Sequence, residues 1–161
     1  MTMLVWLTIV VGILAIPYLY AYCEKKLIAR KARKRCDEMS ESLLNVGCRF
    51  SDFGDVNCDI APRKVKDFVQ CDVHRLPFKN KSFGAAVCTC VLEHVDDPED
   101  AERELKRAAT EVFIVLPKPF FPHEWLVPSH KWLFFGGRKI RINPILNNLV
   151  FWSLVLWIAM S

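Results

Sequence analysis

Leu43-Leu44-Asn45-Val46, Val56-Asn57-Cys58-Asp59-Ile60, Asp67-Phe68-Val69-Gln70-Cys71, Phe83-Gly84-Ala85-Ala86-Val87-Cys88 and Val112-Phe113-Ile114-Val115-Leu116 are five short apolar runs in the stretch from Leu43 to Pro117. Each has the length of a strand, is rich in β-branched or small apolar residues, and ends at a polar or small residue. Runs without alternation read as strands buried on both faces, the pattern of a largely parallel sheet. In open sheets of that kind ligands bind at the carboxyl ends of the strands. Between the fourth and fifth runs, residues 95–110 read as a helix. Asp97 suits the N-cap and Pro98 the first turn, Glu99 and Asp100 favour the positive end of the dipole, and Ala101, Leu105, Ala108 and Ala109 fall on one face.

The residues at the strand ends form an ordered set. Asn45-Val46-Gly47-Cys48 comes first, then Asp59-Ile60, then Cys71-Asp72 with Leu76-Pro77-Phe78 behind it, then Lys81-Ser82-Phe83 and Val91-Leu92-Glu93-His94-Val95-Asp96-Asp97-Pro98. Over residues 42–119 this set resembles the class I S-adenosylmethionine-dependent methyltransferases, and most the small-molecule branch of methyltransferase type 11, in a shortened, membrane-anchored form. The resemblance implies a reduced Rossmann-like α/β sheet and S-adenosylmethionine as cofactor. It implies that Gly47 lets backbone approach the methionine part, that Asp59 meets the ribose hydroxyls, and that Asp72 meets the adenine amino group. Cys48, Ile60, Val73 and Cys90 complete the implied cofactor-binding set. Read as residues alone, either aspartate is equally a loop acid or a turn cap. His94 is the one candidate general base, because imidazole titrates near neutrality; its alternative is a hydrogen bond that caps the sheet edge.

The sequence also departs from that family. Arg49 stands where a second glycine is expected and Gly84 where an aspartate is expected. Parallel crossovers normally take a dozen or more residues including a helix, but the links between the first three runs are too short for one. The pocket is therefore expected to be open on one side unless a partner chain or the membrane closes it.

Working outward, residues 1–22 carry no charge and would make a helix about 33 Å long, enough for the hydrocarbon core of a bilayer. Lys25, Lys26, Arg30, Lys31, Arg33, Lys34 and Arg35 follow at once. The pattern predicts a transmembrane helix over 1–22, a basic juxtamembrane linker over 23–41, and an orientation with the amino terminus outside and the soluble domain cytoplasmic. The basic run lacks interleaved aromatic residues, so no nucleic-acid partner is expected. Residues 42–144 form the methyltransferase-like domain, with Trp132–Phe135 and Lys139–Ile142 as a hairpin that stands in for an antiparallel sheet edge. Residues 145–161 are a second hydrophobic helix, spanning or lying on the membrane. The bilayer is the expected partner, with a membrane protein or a second copy of the chain as a further one.

Seven cysteines without a compact spacing framework suggest reduced thiols. No CxxC pair is present, and no metal site is read from the sequence. The whole points to methyl transfer from S-adenosylmethionine to an acceptor at the cytoplasmic membrane surface. A catalytically inactive methyltransferase-like scaffold or subunit of a membrane assembly is the alternative.

Overall fold

The computed structural model describes residues 2–118, 127–135, 138–142 and 153. Helix α1 (Thr2–Met39) leads into strand β1 (Leu43–Val46), followed by β2 (Val56–Asp59), β3 (Phe68–Gln70) and β4 (Phe83–Thr89). Helix α2 (Pro98–Ala108) joins β4 to β5 (Ala109–Val115), and strands β6 (Trp132–Phe135) and β7 (Arg138–Arg141) follow. The first five strands form one sheet in the order β3-β2-β1-β4-β5, with every neighbouring pair parallel. The chain runs outward from β1 to β3, then returns to the other side of β1 for β4. The switch point of the sheet therefore lies between β1 and β4, where open α/β sheets bind ligands.

The sheet is covered unevenly. On one face Ala32 and Cys36 of α1 pack on Leu43, Ala85 and Val87. On the other, Ala101, Leu105 and Ala108 of α2 pack on Leu44, Val46, Ala86 and Cys88. The cap of α2 and its apolar stripe are those expected, except that the helix ends at Ala108 and Ala109 begins β5: the Asp97 side chain accepts from the backbone N–H of Asp100 at 3.0 Å, and Leu105 is fully buried. The crossovers β1–β2 and β2–β3 contain no helix, as their length dictates. Two asparagines take over part of that work. Asn57, fully buried, donates to the carbonyls of Gly54 and Lys66 and accepts from Gly54 N–H and from the Asn45 amide, which also reaches the Ser51 carbonyl. Both irregular loops are thereby tied to the middle of the sheet.

Several details differ from the reading of the sequence. The stretch 23–39 is not a linker; it is the carboxyl-terminal half of α1, and its basic residues grip the domain. Arg33 pairs with Asp55 at 2.6 Å, and Arg35 pairs with Glu111 on β5. The hairpin β6–β7 is antiparallel as expected but forms its own two-stranded sheet, not an edge of the main one. Gly84 has a packing reason: a Cβ there would meet the Glu41 Cβ at 2.9 Å, where the turn after α1 crosses β4.

Among the described residues no helix is long and apolar enough to cross a membrane. The side chains of residues 1–14 and 17, which carry most of the apolar stretch expected to span, lie outside the described set. So does the second hydrophobic segment, apart from Ser153.

Candidate functional site

A cleft of about 1230 Å³ opens across the carboxyl ends of the strands. Gly47, Cys48, Asp59, Ile60, Asp72, Val73, Cys90 and His94, all singled out in the sequence, line it together. They come from the ends of β1, β2, β3 and β4, which is why residues far apart in the chain converge. One wall includes Tyr18, Ala21 and Glu24 of α1, and Glu24 is tied to Lys118 beyond β5 by a 2.7 Å ion pair.

Gly47 begins the turn after β1 with φ of +72°. A Cβ there would lie 2.2 Å from Val91 Cγ2, so both the backbone conformation and the close approach of the β4 loop demand glycine. Gly47 and Cys48 both donate backbone N–H groups to the Cys58 carbonyl, at 2.9 and 3.0 Å. Asp59 secures the same turn from β2. Its Oδ2 accepts from Arg49 N–H and its Oδ1 from Ala61 N–H, each at 3.0 Å, and Arg63 lies 3.4 Å away. The carboxylate thus caps two loops while each oxygen keeps a further lone pair.

Asp72 is half-exposed in the cleft. The backbone N–H of His74 donates to its Oδ1 at 2.9 Å, and the His74 ring lies 2.8 Å from the same oxygen. These bonds, the backbone one foremost, hold its pKa below the usual carboxylate range. Asp72 therefore presents a carboxylate acceptor at neutral pH. Arg49, Phe50, Phe53 and Arg63 also line the cleft: Phe50 is 79% exposed, with the Arg49 and Arg63 guanidinium groups each 5.7 Å from its ring centre, and Phe53 packs towards α1.

The thiols around the turn are inert. A hydrogen bond with Cys71 and burial push the Cys58 thiol far up, and burial raises Cys48 and Cys88. Such groups stay protonated and serve as small core residues.

His94 follows β4. Its Nδ1 lies 3.0 Å from the Ser129 carbonyl, which can only accept; Nδ1 therefore carries a hydrogen, and in the neutral ring the lone pair is on Nε2. Two further residues stand at this corner: Glu93, quoted beside His94 in the sequence but given no role, and His130, which was not read as part of the site. Glu93 is fully buried and His130 is 4% exposed. They meet because the backbone N–H groups of Lys131 and Trp132 donate to the Glu93 carbonyl at 2.7 and 3.2 Å, docking the approach to β6 onto the end of β4.

Residues 44–111 match the profile described as a methyltransferase domain. Among solved structures, the YcgJ protein of Bacillus subtilis is similar at 17% identity and a TM-score of 0.50, over 80% of this chain and 65% of that one. An S-adenosylmethionine-dependent methyltransferase of Mesorhizobium loti aligns at 16% identity and a TM-score of 0.40, over 66% of this chain and 59% of that one. A Thermotoga maritima protein described as an S-adenosylmethionine-dependent methyltransferase, possible histamine N-methyltransferase, aligns at 19% identity and a TM-score of 0.39, over 57% and 53%. The chain thus spans less than two thirds of the length of each of these structures. No curated protein matches significantly.

Proposed function

We propose, from the methyltransferase-domain match over residues 44–111, that this chain is an S-adenosylmethionine-dependent methyltransferase working on an acceptor at the cytoplasmic surface of a membrane. The observation that carries the reading is the convergence of Gly47, Asp59 and Asp72 on one open cleft beside the β1/β4 switch point. Their chemistry fits the cofactor: a backbone turn free of Cβ, and two carboxylates able to accept from hydroxyl and amino groups.

S-adenosylmethionine, when bound, supplies a methyl group activated by its sulfonium. Methyl transfer by in-line displacement asks the protein mainly to position two reactants and exclude water. In this reading Asp59 accepts from the ribose hydroxyls with the lone pairs left over from its turn bonds, and Asp72 accepts from the adenine amino group. Cys48, Ile60, Val73 and Cys90 supply the surrounding wall. His94 Nε2 takes a proton from an acceptor hydroxyl or amine. Membrane association rests on α1, where Ile16, Leu19, Tyr20 and Tyr22 are all more than half exposed next to a run of lysines and arginines. A membrane protein or a second copy of the chain is a candidate to close the cleft's open side.

One observation favours an inactive scaffold instead. Both Asp59 oxygens already hold loop N–H groups, a structural role sufficient in itself. Titrating S-adenosylmethionine into the purified full chain by calorimetry, beside Asp72→Ala, separates the two. The enzyme reading expects saturable binding weakened roughly 10–100-fold in the variant, the loss of a hydrogen bond to a charged group. A folded chain that binds no cofactor is a scaffold.

A further inference from the structure

The corner of the cleft behind the proposed cofactor residues holds a different chemistry. Glu93, His94 and His130 each offer one ligand atom, and the three atoms lie within 4.8 Å of one another. All three residues line the cleft. Two come from the end of β4 and the third from the approach to β6, more than thirty positions away, so chain proximity alone does not explain the grouping.

The orientation of the donors is specific. With its Nδ1 hydrogen committed to the Ser129 carbonyl, His94 turns the Nε2 lone pair towards Glu93 Oε1 at 3.8 Å. That distance is too long for a hydrogen bond. Two metal–ligand bonds of about 2.0–2.2 Å each span it. An imidazole whose other nitrogen donates to a carbonyl is also the usual arrangement of a metal-binding histidine, since the outer bond fixes tautomer and ring direction. His130 stands edge-on to His94, with ring centres 4.8 Å apart and planes at 63°. Its position is held by the backbone bonds to the Glu93 carbonyl and by Trp132, whose Nε1 donates to the Val95 carbonyl at 2.9 Å. The Glu93 side chain is wholly removed from solvent, so its carboxylate faces the two imidazoles in a low-dielectric corner of the cleft.

We propose that Glu93, His94 and His130 bind one divalent transition-metal ion of the zinc class, with the remaining coordination positions open to the cleft. Two imidazoles and one carboxylate suit zinc or iron(II), and three protein ligands leave room for water or for an oxygen of a bound molecule. The metal occupies the lone pair that the methyl-transfer reading gives to a base. Binding, not turnover, is therefore its test, and the outcome does not depend on cofactor binding.

Full-length protein freed of metal by a chelator is titrated with zinc against a chromogenic competitor, and with cobalt(II) followed by visible absorption. The expected result is one equivalent bound, with affinity falling at least about 100-fold in Glu93→Gln and in His94→Ala, beyond the 10–100-fold typical of outer-sphere changes. Cys23→Ser should bind as the parent does, and the cobalt spectrum should lack thiolate charge-transfer bands. His94 is 39% exposed, so its alanine variant keeps the core intact even where Glu93→Gln unfolds. The proposal is overturned by absent stoichiometric binding in a chain with native circular dichroism, by unchanged affinity in His94→Ala, or by a cobalt spectrum dominated by thiolate.

Discussion

Asn57 shows how a single residue can replace an element. Where a parallel crossover usually carries a helix, this chain buries one amide that satisfies backbone groups in two loops. Asn57→Ala strands those groups, and leaving buried partners unmade costs about 1–3 kcal/mol each before water relieves them. The variant should lose roughly 2–4 kcal/mol, read from its urea midpoint; a change within 0.5 kcal/mol would mean the loops need no such anchor. At this scale the sequence was partly legible. That Gly47, Asp59 and Asp72 share one cleft could be anticipated, because the carboxyl ends of parallel strands lie side by side. The role of Asn57 could not, since an asparagine inside a strand carries no periodic signal. Glu93 and His130 were missed as a pair for a related reason: a contact between distant segments leaves no spacing to read.

Among the elements, α1 behaves least like its sequence. The basic run that reads as a tether to lipid headgroups extends a helix onto the sheet, because Arg33 and Arg35 find Asp55 and Glu111 there. Charge patterning alone cannot distinguish a lipid partner from a carboxylate of the same chain. The strands and α2, by contrast, follow from local signals within a few residues. The ion pairs give a pH dependence with a definite sign. The hydrogen bond from Arg33 lowers the Asp55 pKa below its ordinary 3.8, and the bond from Arg35 lowers that of Glu111 below 4.5. The unfolded chain therefore binds protons first on acidification. The stabilisation is fully present above those ordinary values and is lost as pH falls through the lowered ones. Equilibrium unfolding followed from pH 7 to about pH 2 should show stability falling below about pH 5. Asp55→Asn should flatten that fall, and an identical slope in the variant would show that the pair makes no contribution.

For the whole molecule, the question is what the exposed Ile16, Leu19, Tyr20 and Tyr22 of α1 meet. If they meet lipid, the full chain should sediment with phosphatidylserine-containing vesicles, and more weakly at 1 M salt, where the Debye length is about 3 Å. A chain lacking residues 2–22 should stay in the supernatant while retaining a cooperative unfolding transition. Equal sedimentation of both would place any attachment elsewhere. The sequence made the sheet legible because burial on both faces imposes composition on every strand. It left the cleft's true boundary unread, because one wall is a helix whose packing depends on side-chain pairing.

The missing crossover helices also bear on how the chain finds its fold. Parallel sheets usually form slowly, because long loops must close before any pairing repays the lost entropy. Here Leu44 pairs with Val56 and Asn57 with Phe68, separations of twelve and eleven residues, whereas Leu43 and Ala85 are forty-two apart. Half of the sheet is thus assembled from nearly local contacts. The β1–β2–β3 unit can serve as an early nucleus onto which β4, α2 and β5 condense, giving a parallel fold with the kinetic economy of a meander.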